Sequence, residues 1–110
     1  MKTIKGLFLS ILLIFTASIS AATVQTGIEV LRADGFKLLD GKRVGLTTNP
    51  TGVDSNLKST IDILWEAENV NLVALYGPEH GVRGNVHAGD VVDNEVDKKT
   101  GLKMYSLYGK

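Results

Sequence analysis

The stretch Val70-Asn-Leu-Val-Ala-Leu-Tyr76 is apolar at almost every position and runs directly into Gly77-Pro-Glu-His-Gly-Val-Arg-Gly84. Seven residues suit a strand better than a helix, and a near-continuous apolar strand belongs to a sheet covered on both faces, as parallel sheets are. In open α/β sheets ligands bind beyond the carboxyl ends of such strands. Glycines at 77, 81 and 84 let the chain turn sharply there and leave room for a substrate. A carboxylate (Glu79), an imidazole (His80) and a guanidinium (Arg83) therefore fall within five positions of one another where chemistry is expected.

The segments upstream supply the partners of this strand. Gly27 to Leu39 reads as an amphipathic helix, with Ile28, Leu31, Phe36, Leu38 and Leu39 near helical spacing and Gly35 placed to end it. Asp40-Gly41-Lys42 is a turn, Arg43 to Thr48 a short strand, and Asn49-Pro50-Thr51-Gly52 a polar loop. Ser59 with Asp62 three residues later resembles a capping box. The helix it opens carries Ile61, Leu64 and Trp65 on one face, with Asp62, Glu66 and Glu68 largely off it, and closes at Asn69. Strand, helix, strand implies a crossover between parallel neighbours, so Asn49 and Glu79 should emerge at the same carboxyl edge. The chain is polar and irregular from Gly84 to Lys99, and Leu102 to Tyr108 reads as a third strand. The expected class is α/β, a parallel sheet with flanking helices.

Lys2 and Lys5 precede an apolar run from Leu7 to Phe15, followed by Ala17, Ser18, Ser20, Ala21 and Ala22. That run is too short to span a bilayer and matches a secretory signal peptide over residues 1–22, with cleavage allowed after Ser20 or Ala22. The expected location is periplasmic or secreted, with no membrane span after cleavage. The chain has no cysteine, which excludes a lipoprotein anchor, a disulfide framework and a thiol nucleophile. Taking Lys2 and Lys5 from the twelve basic residues leaves ten against twelve acidic ones, a formal −2. With no basic stripe and no interleaved aromatic platform, nucleic acid is not an expected partner. Two or three strands with exposed parallel edges are marginal alone, so residues 23–110 are expected to be the front of a longer protein.

Each polar candidate has two readings. Glu79 at a strand end beside apolar surface suits a general acid, or it is a solvated carboxylate capping a turn. His80 either supports Glu79 or donates to a substrate oxygen, against a half-buried histidine satisfied by a backbone carbonyl. Arg83 presents a fork for a substrate carboxylate, against an ion pair with Asp90 or Asp93. Asn49 and Thr48 suit sugar hydroxyls, although Asn before Pro is also a routine turn starter. Glu79, His80, His87 and Asp90 are oxygen and nitrogen donors without a recognised metal-ligand spacing, and neither a dinucleotide nor a P-loop motif is present. No cofactor is expected.

Taken together, Val44-Gly-Leu-Thr-Thr-Asn-Pro-Thr-Gly-Val53, Ser59-Thr-Ile-Asp62, Val70 to Gly84, Ala88-Gly89, Thr100-Gly101-Leu102 and Tyr105-Ser-Leu-Tyr-Gly109 resemble the N-terminal part of the exo-acting β-N-acetylmuramidases of the NamZ type. The likeness covers the chain from about Gly27 onward. It implies a Rossmann-like catalytic subdomain, truncated here, and hydrolysis of the β-glycosidic bond of non-reducing terminal N-acetylmuramic acid in peptidoglycan fragments. On that resemblance Glu79 is the general acid, supported by His80, with Asn49 and Arg83 as substrate contacts, Arg83 through the lactyl carboxylate. The alternative is a non-catalytic module that binds a muramyl glycan or a metal. Glycoside hydrolysis requires a second group. Asp90, Asp93 and Glu95 could serve but nothing in the sequence supports them, so the partner is expected beyond Lys110 and residues 1–110 alone are expected to be inactive.

Overall fold

The computed structural model describes residues 23–78, 80–85, 87 and 94–108, so the expected leader at 1–22 lies outside it. The elements are α1 (Gly27–Ala33), a 3-10 turn (Lys37–Leu39), β1 (Arg43–Thr47), α2 (Thr60–Trp65), β2 (Asn71–Gly77), β3 (Glu95–Val96) and β4 (Lys103–Ser106). The four strands form one sheet in the order β1-β2-β4-β3. β1 and β4 both run parallel to β2. The class is α/β as expected, but the sheet is mixed, because β3 pairs antiparallel with β4. That two-residue strand lies within the segment whose polarity reads as irregular, and it is too short to carry an alternation signal.

At the start of α1, the Glu29 carboxylate accepts hydrogen bonds from the Thr26 N–H at 2.7 Å and from its hydroxyl at 2.8 Å. These bonds secure the first turn, where four N–H groups have no helical acceptor. The helix stops at Ala33 rather than running to Leu39. Gly35 and Phe36 both adopt left-handed backbone (φ 67° and 57°), which glycine tolerates and phenylalanine does not favour. Burial offsets the strain at Phe36, whose ring joins Ile61, Ile63, Leu64, Leu72, Leu75, Val82 and Met104 in the core.

At α2, the Ser59 hydroxyl accepts from the Ile61 N–H at 3.2 Å, so Ser59 caps the helix as expected. Asp62 does not close a capping box, since its two oxygens accept from Arg83 and Lys99. Nor does a single apolar stripe describe this helix. Four successive residues, Ile61 to Leu64, are buried, whereas Trp65 is 43% exposed. A helix of under two turns, wedged between the sheet and the segment after β2, is covered on more than one side.

The parallel register of β1 on β2 slips by one residue between Val44 and Gly45, so Val44 lies opposite Leu72 and Leu46 opposite Leu75. Val44 and Leu46 thereby both pack against the core. On the other face Tyr76 and Tyr105, register partners on β2 and β4, stack with centroids 5.3 Å apart. A Cβ at Gly45 would stand 3.0 Å from the Tyr76 ring. That face is half-buried among the described residues, whereas the helices pack on the Leu75 side.

Candidate functional site at the carboxyl edge of the sheet

The parallel ladders continue past the strand ends. Thr48 N–H donates to the Tyr76 carbonyl at 3.0 Å, and Leu107 N–H to the Gly77 carbonyl at 2.9 Å. The segments after β1 and β2 thus leave from one edge, as the crossover requires. They also touch: Gly84, at φ 77°, would bring a Cβ to 3.0 Å from Pro50 Cγ.

The chain after β2 folds back onto its own strand. A Cβ at Gly77 would stand 3.3 Å from Val82 Cγ1, and Val82 is 2% exposed. Gly81 turns at φ 75° between them. The space left by glycines 77 and 84 is thus filled by Val82 and Pro50, not held open for a ligand. Glu79 lies outside the described residues, as do Asp90 and Asp93. His80 is half-buried, and His87 is exposed. Glu95 is exposed on the edge strand β3.

Asn49 is exposed, and its Oδ1 accepts from the Thr51 N–H at 3.1 Å and the Thr51 hydroxyl at 2.8 Å. The Gly52 N–H donates to its carbonyl at 3.0 Å. These bonds are those of an Asx turn, the ordinary use of Asn at a loop start.

Arg83, expected to meet a substrate carboxylate, is engaged by the protein's own. Its Nε donates to Asp97 Oδ1 at 2.6 Å, and Nη2 to Asp97 Oδ2 and Asp62 Oδ1, each at 3.0 Å. Lys99 Nζ reaches the other Asp62 oxygen at 2.5 Å. An internal ion pair is therefore realised, with Asp97 and Asp62 as the partners among the described residues. Asp97 also accepts from the Thr100 N–H at 3.0 Å and hydroxyl at 2.7 Å.

Two carboxylates and two cations compensate one another here; the carboxylate side chains are little exposed, at 4% for Asp97 and 12% for Asp62, whereas Arg83 is 28% and Lys99 57% exposed. The Arg83 hydrogen bond holds the Asp97 carboxyl down at about 2, against the opposing effect of burial and with help from Thr100. At Asp62 burial is the largest single influence and pushes upward, but the bonds from Lys99 and Arg83 together outweigh it and lower the value. Arg83 is held still more firmly charged, first by Asp97. Sequence reasoning missed Asp62, Asp97 and Lys99 as a group. The detectable signal was local: Asp97 followed by Thr100-Gly101 has the form of a side-chain-stabilised turn.

Beside Arg83 lies an open cleft of about 250 Å³ bordered by Asn85, Glu95, Val96 and Lys98 above Met104. Among the described residues no three His, Cys, Asp or Glu side chains are grouped as a metal site would require. No described helix is long and apolar enough to cross a membrane.

A mixed α/β sheet whose parallel strands send their connections to one carboxyl edge, with one of them folded into the core, has the layout in which open α/β sheets place ligands. The chain belongs to the family described as exo-beta-N-acetylmuramidase NamZ, N-terminal, whose model matches residues 44–110. It is 59% identical over 87 residues to the peptidoglycan beta-N-acetylmuramidase NamZ of Bacillus subtilis (strain 168), covering 79% of this chain and 21% of that protein. Two crystal structures of DUF1343 family proteins from Bacteroides fragilis NCTC 9343 share the fold. One superposes with a TM-score of 0.69 at 70% identity over 78% of this chain and 21% of its own. The other gives 0.60 at 38% identity over 81% and 22%. The chain thus spans about a fifth of the length of the relatives it matches.

Proposed function

We propose that this chain is the N-terminal share of an exo-β-N-acetylmuramidase that removes N-acetylmuramic acid from the non-reducing end of peptidoglycan fragments, in the periplasm or outside the cell. The observation that carries the reading is the family match through residues 44–110, which spans both loops of the carboxyl edge, together with 59% identity to a relative named for this activity. The described geometry supports it by bringing the segments after β1 and β2 into contact at that edge.

In this reading Glu79 is the general acid that protonates the leaving oxygen as an oxocarbenium-like transition state develops, and His80 supports it. Asn49 lies on the facing loop, with Oδ1 bound to Thr51 and its amide nitrogen the group to offer a sugar oxygen. The second group of the reaction is supplied by the remainder of the protein.

The test is Glu79→Gln in the intact protein, assayed on a substrate with terminal N-acetylmuramic acid. Loss of a general acid lowers kcat by about 10²–10⁴-fold. Binding should persist. A wild-type protein that binds the glycan without releasing muramic acid would make it a binding module instead, and loss of function on chelation would point to a metal.

A further inference from the structure

We propose that Asp97 and Asp62 are positioning residues for the loop after β2, acting through Arg83, and that Arg83 serves as this clamp and not as a substrate ligand. The inference rests on the muramidase reading for the reaction that the loop serves, but its geometry stands apart from that reading.

Three consecutive residues fix the backbone here. Val82 enters the core at 2% exposure, Arg83 is bound by two carboxylates, and Gly84 rests against Pro50. The carboxylates come from separate elements, Asp62 from the first turn of α2 and Asp97 from the turn between β3 and β4. Arg83 therefore ties the loop to the crossover helix and to the far side of the sheet at once. The two-point contact with Asp97 fixes the plane of the guanidinium as well as its distance, which a lysine could not do. Asp97 is itself oriented by the Thr100 hydroxyl and N–H, and Lys99 balances the second Asp62 oxygen. With Nε and Nη2 committed to Asp97 and Asp62, recognition of a substrate carboxylate by the same fork would require breaking a compensated, largely buried pair. Glu79 and His80 stand within four residues of this anchor, and small misplacement of reacting groups is costly in rate.

The experiment uses Arg83→Lys and Asp97→Asn in the intact protein, with kcat and KM measured on a terminal N-acetylmuramic acid substrate. Hydrogen exchange is followed over residues 78–85. The proposal expects kcat to fall at least tenfold in Asp97→Asn and severalfold in Arg83→Lys, with KM changed less than threefold. Exchange of 78–85 should quicken in both while that of α1 is unchanged. Should Asp97→Asn fail to fold, Arg83→Lys, which keeps charge and stem, decides alone. A folded variant with wild-type kcat and unaltered exchange overturns the proposal, as does a tenfold rise in KM at constant kcat, which would make Arg83 a substrate contact. If the wild type hydrolyses no muramide, the functional reading fails, and the exchange measurement still decides the clamp.

Discussion

Pro50 and Gly84 meet across the carboxyl edge so closely that a side chain at position 84 would stand 3.0 Å from the proline Cγ and 3.3 Å from its Cβ. The contact joins two loops remote in sequence, and it forms only because residue 84 has no Cβ and turns at φ 77°.

Gly84→Ala should therefore cost about 1–3 kcal/mol, combining left-handed strain with the clash. Thermal unfolding of Gly84→Ala, with and without Pro50→Ala, separates the two. Partial recovery in the double variant assigns the remainder to strain, and an unchanged Tm in Gly84→Ala alone would show that the loop has moved.

Val82→Ala should destabilise by about 2 kcal/mol, as expected for removing buried methyl groups from a packed core. Because Val82 belongs to the same backbone segment as His80, the loss should appear in loop exchange as well as in global stability. Hydrogen exchange over 78–85 checks this directly.

The Asp97 carboxyl titrates near about 2 in the folded chain, below its ordinary value of 3.8. A depressed folded value means that the unfolded chain takes up the proton first, so the ion pair contributes fully above about pH 5 and is lost as pH falls through about 2. Asp62, also lowered, acts in the same sense. The protection of residues 94–104, taken relative to the intrinsic exchange rate at each pH, should fall progressively between about pH 4 and pH 2 in the wild type. In Asp97→Asn that protection should start lower and depend less on pH over that interval.

Asn49→Ala removes both bonds to Thr51 and should cost about 1 kcal/mol, the usual value of a local side-chain to backbone bond. Asn49→Asp keeps the Oδ1 acceptor and should restore the turn while removing the amide donor. A raised KM in Asn49→Asp with normal stability is expected if that amide meets the sugar.

The crossover and its parallel strands were legible because apolar runs, Asn-Pro-Thr-Gly and the Ser59 cap are local signals. Trp65 and Asp62 exchanged their expected roles for a reason that periodicity does not contain: the segment after β2 covers α2 on a second side. Likewise, Arg83 was visible as a site residue, but its partners were not. Arg83 stands 21 residues from Asp62 and 14 from Asp97, so only the fold brings the three together. A mixed sheet also escaped notice, since two residues of β3 are too few to show a pattern.

The loop between Gly77 and Gly84 is part of the core as well as of the edge, and this restricts how such a site can diverge. Substitutions at 77, 82, 83 and 84 disturb packing before they alter recognition. Exposed Pro78 and Asn85 at its two ends carry no such burden. If the proposed muramidase reading holds, new sugar preferences in proteins of this architecture should therefore arise first at the ends of the segment and on the facing Asn49 loop, while residues 82–84 change only together with α2 and the turn before β4.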